Sequence, residues 1–194
     1  GHYDMTNSPL SEEFIRSITE DKEQRMWIGT FGQGINVFSS DMQRLEIVNR
    51  STSFCSNRIE HIFRDSKKRM WVATSEGAAL FPETSNLSEY QLFRRADGLA
   101  SSHVQAIAED SEGNIWLSTN SGISRISTDL KTISNYSYAD GVPIGEFIAG
   151  SVTKDSKGNI YIGSNKGTCY IDPIYLAQHY SIPPDIFTEL KNED

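Results

Sequence analysis

The segment DSEGNIWLSTNSG, residues 110–122, places a turn, a tryptophan-bearing strand and a second turn next to one another. Three close variants occur elsewhere in the chain: DKEQRMWIGTFGQG from Asp21, DSKKRMWVATSEG from Asp65 and DSKGNIYIGSNKG from Asp155. The four aspartates are 44, 45 and 45 residues apart, and each precedes a Trp or a Tyr by six positions. This constant spacing indicates an internal repeat of one structural unit.

Each copy is predicted to contain several short strands separated by turns. Apolar residues six and three positions before the aspartate mark the first strand, runs such as MWV and IWL the second, and runs such as AALF and YQLF the third and fourth. Four-stranded units with a glycine and an aromatic residue at fixed offsets are typical of β-propeller blades. The sequence therefore predicts an all-β fold, a β-propeller of about four four-stranded antiparallel blades, with repeats near 11–50, 55–95, 99–138 and 142–175.

Three rows of the repeat are predicted to be structural. Aromatic residues of the second strand are expected to fill the space between blades: Trp27, Trp71, Trp116 and Tyr161. A small residue two positions later would let the neighbouring blade approach closely: Gly29, Ala73, Ser118 and Gly163. The aspartates are expected to cap backbone amides in the turn between the first two strands: Asp21, Asp65, Asp110 and Asp155.

The turn after each aspartate differs between copies. Gly113 and Gly158 can take the positive φ that a tight hairpin requires, whereas Gln24 and Lys68 stand at the equivalent places in the first two copies. Either those two turns have another geometry, or a left-handed non-glycine residue costs about 1 kcal/mol in each.

The composition excludes several classes of function. The chain has 18 Lys and Arg against 26 Asp and Glu, a formal net charge of −8, which argues against binding to nucleic acid. No apolar run reaches the ~18 residues of a membrane-spanning helix. Cys55 and Cys169 define neither a disulfide framework nor a zinc site, and no motif indicates a cofactor, a metal or a catalytic nucleophile.

The repeats resemble those of the two-component regulator propeller family. The resemblance is carried by DGLASSHVQAIAEDSEGNIWLSTNSGISRI at 97–126 and by WIGTFGQGINVF at 27–38. It implies a periplasmic sensor region of a Bacteroides-type hybrid two-component sensor histidine kinase, with an oligosaccharide as its ligand. It also implies that the blades, spanning 1–180, form part of a larger propeller of about seven blades.

The same resemblance implies the neighbours of these blades. Residues 181–194 look like a linker and the first strand of a following Ig-like domain named for three tyrosines, with the strand at 186–190. Other blades and that Ig-like domain of the same receptor would then be partners. Open blade edges pair readily with other edges, so a homodimer is also expected.

Candidate ligand-binding residues follow from the repeat register. Five positions before each aspartate stand Arg16, Glu60, Gln105 and Gly150, at the start of the innermost strand, where they are predicted to face the central channel. Loops on a rigid scaffold concentrate binding residues, and aromatic rings beside polar groups are suited to sugars. The loops at this end add the following candidates: Phe31, Gln33, Asn57, Arg58, His103, Glu146 and Phe147.

Three functional interpretations remain open from the residues. A sensor propeller for an oligosaccharide is favoured by the resemblance. A propeller enzyme, such as a polysaccharide or cyclic-peptide lyase, would require a base, and only His61 and His103 titrate near neutral pH within the repeats. A protein-interaction propeller is the third interpretation.

Overall fold

The strands form four antiparallel sheets in a computed structural model that describes residues 1–142 and 145–173. Blade 1 contains β1 (Ile15–Glu20), β2 (Met26–Thr30), β3 (Ile35–Phe38) and β4 (Arg44–Val48). Blade 2 contains β5 (Ile59–Arg64), β6 (Met70–Thr74), β7 (Gly77–Phe81) and β8 (Gln91–Phe93). Blade 3 contains β9 (Val104–Glu109), β10 (Ile115–Thr119), β11 (Gly122–Ile126) and β12 (Ile133–Tyr136). Blade 4 contains β13 (Phe147–Lys154), β14 (Ile160–Ser164) and β15 (Gly167–Ile171).

Within each blade the strands pair in sequence order. Short 3-10 turns lead from one blade to the next: Arg50–Thr52, Arg95–Asp97 and Tyr138–Asp140. These turns are the helical elements of the described ranges, and none of them could span a bilayer. The prediction of an all-β fold with four blades is confirmed. The predicted strand at 186–190 lies outside the described residues.

The turn between the first two strands has one backbone pattern in all four blades. The residue four positions after each aspartate donates its N–H to the aspartate Oδ1 at 2.8–2.9 Å, so the predicted capping role is confirmed. The residue three positions after each aspartate has a positive φ whether or not it is glycine: Gln24 63°, Lys68 64°, Gly113 82° and Gly158 90°. The first two turns therefore have the same geometry as the others and hold a left-handed non-glycine residue, at a cost of about 1 kcal/mol each.

The aspartates have a second role that the sequence analysis missed. The other carboxylate oxygen accepts a hydrogen bond from the indole Nε1 six residues later, at 2.8 Å for Trp27, 3.0 Å for Trp71 and 2.9 Å for Trp116. In blade 4 the Tyr161 hydroxyl donates to Asp155 at 3.3 Å. The constant six-residue spacing was the signal for this bond. It satisfies the one polar atom of an otherwise apolar ring.

The tryptophans lie between blades, as predicted. Trp27 is fully buried in a cluster that includes Ile59 and Ile62 of blade 2. A Cβ added at Gly29 would stand 2.6 Å from the Cγ2 of Ile59, which confirms that a small residue permits the close approach of the next blade. Trp71 and Trp116 repeat the arrangement against blades 3 and 4.

The outer flank of blade 1 is different. Ile18 is 58% exposed, whereas its equivalents Ile62 and Ile107 are 2% and 0% exposed. Leu10 covers part of this flank by packing on Ile28 and Phe38. The isoleucine three positions before the aspartate is therefore buried where a neighbouring blade covers it. Ile18 is exposed because no blade in the described part of the chain packs against that side.

Candidate ligand-binding site

A β-bulge interrupts the first strand of each of blades 1 to 3 at the same place. The pairing of β1 with β2 passes from Ile15 to Ser17, that of β5 with β6 from Ile59 to His61, and that of β9 with β10 from Val104 to Ala106. The unpaired residues are Arg16, Glu60 and Gln105, the row that the sequence analysis selected. We call the end of the blades that carries them the mouth, and the opposite end, with the aspartate turns, the turn end.

The bulges change which face of the strand each side chain occupies. Simple alternation would place Glu60 on the same face as Ile62, with Ile59 on the other. Instead Ile59 and Ile62 are both buried between blades, which requires one extra residue between them. The spacing of three between apolar residues, repeated at Val104 and Ile107, was the sequence signal for the bulge. The bulge turns the extra side chain out of the ladder.

Glu60 is the centre of a hydrogen-bond network at the mouth. Its side chain is buried, with the residue 1% exposed. Oε1 accepts hydrogen bonds from the Arg58 Nε and, at 3.1 Å, from the Nε2 of His103 on the adjacent blade. The second oxygen, Oε2, is also buried and has no hydrogen-bond partner in the described structure. A buried carboxylate oxygen without a donor is costly, so this side chain is held there by its neighbours.

The network continues into blade 3. Because Nε2 of His103 donates to Glu60, its Nδ1 is free to accept, and the Nδ2 of Asn120 lies 3.1 Å from it. The Oδ1 of Asn120 in turn accepts a hydrogen bond of 2.9 Å from Gln105 Nε2. The bulge residues of blades 2 and 3 are thus joined through His103 and Asn120.

Phe31 joins blade 1 to the same site. Its ring is 40% exposed, and the guanidinium carbons of Arg16 and Arg58 lie over it at 4.8 and 4.7 Å from the ring centroid. Beside it is an open cleft of about 470 Å³ lined by Phe14, Ile15, Arg16 and Phe31. Phe31 therefore supports two arginines, rather than presenting a bare ring as the sequence analysis expected.

Gln33, Asn57 and Glu146 lie in mouth loops and do not join the network. Gln33 and Glu146 are exposed. Asn57 has a structural role, since its carbonyl accepts from the Gly34 N–H at 2.8 Å and its side chain accepts from the Arg50 N–H at 2.8 Å. Gly150 has a φ of 67° in the irregular part of β13.

The expectation that Phe147 offers its ring to a ligand does not fit the structure. Phe147 is 4% exposed and packs in the cluster of Trp116, Ile160 and Ile162, because it begins β13 and its ring lies between blades 3 and 4. Phe54 is buried in the same way against Phe81. Both rings belong to the packing between blades.

His61 lies within β5 and is partly buried. Its Nδ1 accepts a hydrogen bond of 3.1 Å from the Ile107 N–H of the next blade. Burial lowers the pKa of His61 from its ordinary 6.5 to about 4. The described residues contain no group of His, Cys, Asp and Glu side chains placed to hold a metal ion.

These features define a β-propeller whose mouth carries one bulge residue from each of three successive blades. The two-component regulator propeller model matches residues 9–32, 53–76 and 98–121, each match covering the first strand, the aspartate turn and the tryptophan strand of one blade. The chain therefore carries two-component regulator propeller repeats. No curated protein sequence matches it.

Solved structures show the same architecture. The extracellular domain of a putative hybrid two-component system from B. thetaiotaomicron is 44% identical, with a TM-score of 0.88 over all of this chain and 27% of that one. A second such domain from the same organism is 26% identical, with a TM-score of 0.70 over 85% of this chain and 24% of that one. The chain thus spans about a quarter of the length of either.

A third similar structure is an enzyme. Virginiamycin B lyase from Staphylococcus aureus is 17% identical, with a TM-score of 0.60 over 83% of this chain and 53% of that one. At this identity the likeness shows the propeller fold alone. The chain is therefore homologous to extracellular domains of Bacteroides two-component systems, and it shares only its architecture with the lyase.

Proposed function

We propose that this chain is part of the periplasmic sensor region of a hybrid two-component sensor kinase, and that its mouth binds an oligosaccharide. The repeats and the 44% identity to an extracellular domain of such a system support the receptor assignment. The observation that carries the binding site is the polar network joining Glu60, His103 and Gln105 beside the half-exposed ring of Phe31.

The mouth has the chemistry that a sugar requires. Hydroxyl groups both donate and accept hydrogen bonds, and the exposed side-chain amide of Asn120 has a second N–H and a second oxygen lone pair beyond those that bond His103 and Gln105. Because Asn120 directly follows β10 and is held by these two bonds, little conformational entropy is lost when a ligand binds. A linear oligosaccharide could contact several blades at once.

Signal transmission would follow from the position of the site between blades. A ligand that contacts blades 1, 2 and 3 binds one relative arrangement of them better than another, and it shifts the equilibrium by that difference in affinity. In the receptor, further blades, an Ig-like domain and a second copy would detect the shift. The open flanks at Ile18 and at Tyr170 are suited to further blades of the same repeat.

Titration calorimetry of the purified chain with a panel of neutral and acidic oligosaccharides tests the proposal. We expect at least one to bind, and the double substitution His103→Ala, Gln105→Ala to weaken it by about tenfold or more, because it removes the two hydrogen bonds that hold the Asn120 side chain in place. Lys157→Gln, at the turn end, is the control and should leave the affinity unchanged.

Two results would contradict the proposal. If no oligosaccharide of the panel binds, and the chain captures a partner protein that the double variant does not capture, the protein-interaction propeller is favoured. Shortened or unsaturated sugars released during the titration would favour the lyase.

A further inference from the structure

The two arginines at Phe31 have hydrogen-bonding capacity that the protein does not use. A guanidinium group carries five N–H donors in a planar fork. Arg58 uses its Nε to bond Glu60, and within the described ranges neither its terminal nitrogens nor any nitrogen of Arg16 donates to an acceptor. Both guanidinium carbons lie within 4.8 Å of the centroid of one ring, so their unused donors border the same part of the mouth.

Among the described residues, the nearby carboxylates neutralise Arg58 and leave Arg16 unpaired. Glu60 forms an ion pair with Arg58 and also accepts a hydrogen bond from His103. Glu12 accepts a hydrogen bond of 2.7 Å from the Gly32 N–H in the turn of Phe31, and in the described part of the chain it forms no ion pair with either arginine. Arg16 is therefore a cation with no carboxylate partner among the described residues, on a chain whose formal net charge is −8.

The ring holds the arginines in place. Cation–π contact favours guanidinium groups stacked on an aromatic face and restricts side chains that would otherwise be freely mobile. It also covers part of the ring, so a neutral sugar could stack there only by displacing a guanidinium group. An anionic group would instead use the donors that the arginines already present, through charge-assisted and often bidentate hydrogen bonds.

We infer that the oligosaccharide bound at the mouth is acidic, and that Arg16 and Arg58 together bind its carboxylate or sulfate group over Phe31. This inference rests on the proposed function. The inference adds selectivity for acidic over neutral ligands. The rest of this acidic protein repels an anionic ligand, so the two arginines decide whether it binds. Neutral oligosaccharides of the same length bind less well.

The experiment compares probes that differ in charge alone. Tetragalacturonate is paired with its fully methyl-esterified form, and a sulfated chondroitin tetrasaccharide with its desulfated, methyl-esterified form. Titration calorimetry of the purified chain is run at low and high salt. We expect an acidic probe to bind at least about tenfold more tightly than its neutral partner and to weaken as salt rises, since screening acts on exposed charges. A response of the galacturonate pair identifies a carboxylate as the recognised group. Chondroitin carries both groups, so a response of the chondroitin pair alone shows that a galacturonate carboxylate is not sufficient.

Three variants complete the test. Arg16→Gln is the main one, because Arg16 is exposed and bonded to nothing that the fold requires in the described structure. Arg58→Gln is accompanied by a thermal melt, since it also removes a partner of Glu60. Lys157→Gln removes one exposed positive charge at the turn end as a control. We expect the first two to reduce affinity for the acidic probe about tenfold and to leave the neutral probe unaffected.

The outcomes separate the two proposals. Equal affinity for the charged and neutral partners, with no effect of Arg16→Gln, overturns the acidic selectivity while oligosaccharide binding stands. An equal loss in Lys157→Gln and Arg16→Gln overturns the assignment of the site to the arginines. Failure of every probe, charged or neutral, overturns both this inference and the proposed function.

Discussion

The two ends of the blades differ in whether the same side chains recur from one blade to the next. At the turn end, an aspartate in every blade accepts hydrogen bonds from the backbone amide four residues later and from an aromatic side chain six residues later. That side chain is a tryptophan in blades 1 to 3 and Tyr161 in blade 4. At the mouth, the equivalent bulge position holds Arg16, Glu60 or Gln105 in blades 1 to 3. Packing between blades requires the same kinds of side chain at every interface, whereas a ligand contacts each blade with a different group. Repetition therefore marks the scaffold, and variation at a fixed position marks the candidate site.

The largest effect is expected from a tryptophan of the scaffold. Trp71 is fully buried between blades 2 and 3, so Trp71→Ala should lower the free energy of unfolding by about 3–5 kcal/mol. Chemical denaturation monitored by circular dichroism measures this value. Tyr138→Ala, at an exposed position, is the control and should cost less than about 0.5 kcal/mol. A loss below 1 kcal/mol for Trp71→Ala would mean that the blades do not depend on this packing.

The second effect concerns His61, which lies between the two ends. The pKa of His61 is about 4 in the folded chain, below its ordinary value of 6.5. Between these two pH values the unfolded chain therefore binds a proton at His61 that the folded chain does not bind. Stability should therefore decrease as the pH falls from 6.5 to 4, by up to about 3 kcal/mol. His61→Gln has no such proton, and its unfolding free energy should depend less on pH in this window. Parallel slopes for the two proteins would refute the assignment.

The aspartate turns provide the third test. Asp65→Asn keeps the shape of the side chain but removes the charge that accepts from Arg69 Nε at 2.7 Å and from Trp71 Nε1 at 3.0 Å. We expect a loss of about 2–3 kcal/mol, measured by denaturant unfolding. Asp155→Asn is the matched comparison and should cost less, because Asp155 in blade 4 is less buried than Asp65. Equal losses would show that burial does not determine the strength of these turns.

A fourth substitution should stabilise the protein. Lys68 is exposed and has a φ of 64°, so Lys68→Gly should remove backbone strain and raise the free energy of unfolding by up to about 1 kcal/mol. Lys157→Gly, at an exposed position outside the left-handed region, should instead lower it. Thermal melts of both variants measure the difference, and a lower melting temperature for Lys68→Gly would contradict this reading of the turn.

The smallest effect is expected at the mouth. Asn120 is exposed and its side chain bonds only side chains of the network, so Asn120→Ala should change the unfolding free energy by about 0.5 kcal/mol or less. The same denaturation measurement as for Asp65→Asn gives a direct comparison of the two ends. A loss as large as that of Asp65→Asn would show that the network is part of the scaffold, and the contrast between the ends would fail.

The sequence predicted the features that recur in every copy. The strand positions, the buried tryptophans and the capping aspartates follow from the 44 to 45 residue spacing, because a residue that returns at each interface meets the same surroundings. The hydrogen bond from Trp27 to Asp21 was within reach of the same reasoning, since its six-residue spacing is constant. The bulges could have been found from the apolar pairs spaced by three.

The remaining features depend on contacts between blades. His103 bonds Glu60 from another blade across 43 positions of sequence, and no local pattern encodes the angle at which the two blades meet. Phe31 and Phe147 both lie near the mouth, yet Phe31 is exposed and Phe147 is buried, because Phe147 begins β13 of blade 4 and packs against Trp116 of blade 3. Whether Ile18 is buried depends on what packs against blade 1, which its own repeat does not specify.

The bulge at the start of each inner strand has an evolutionary consequence. Because the extra residue takes no part in the strand pairing, it can be exchanged without altering the hydrogen bonds of the sheet or the apolar contacts between blades. Duplicated blades can therefore diverge at this one position while the residues that determine their fold stay the same. A receptor built in this way can acquire a new specificity through a few point mutations, one blade at a time.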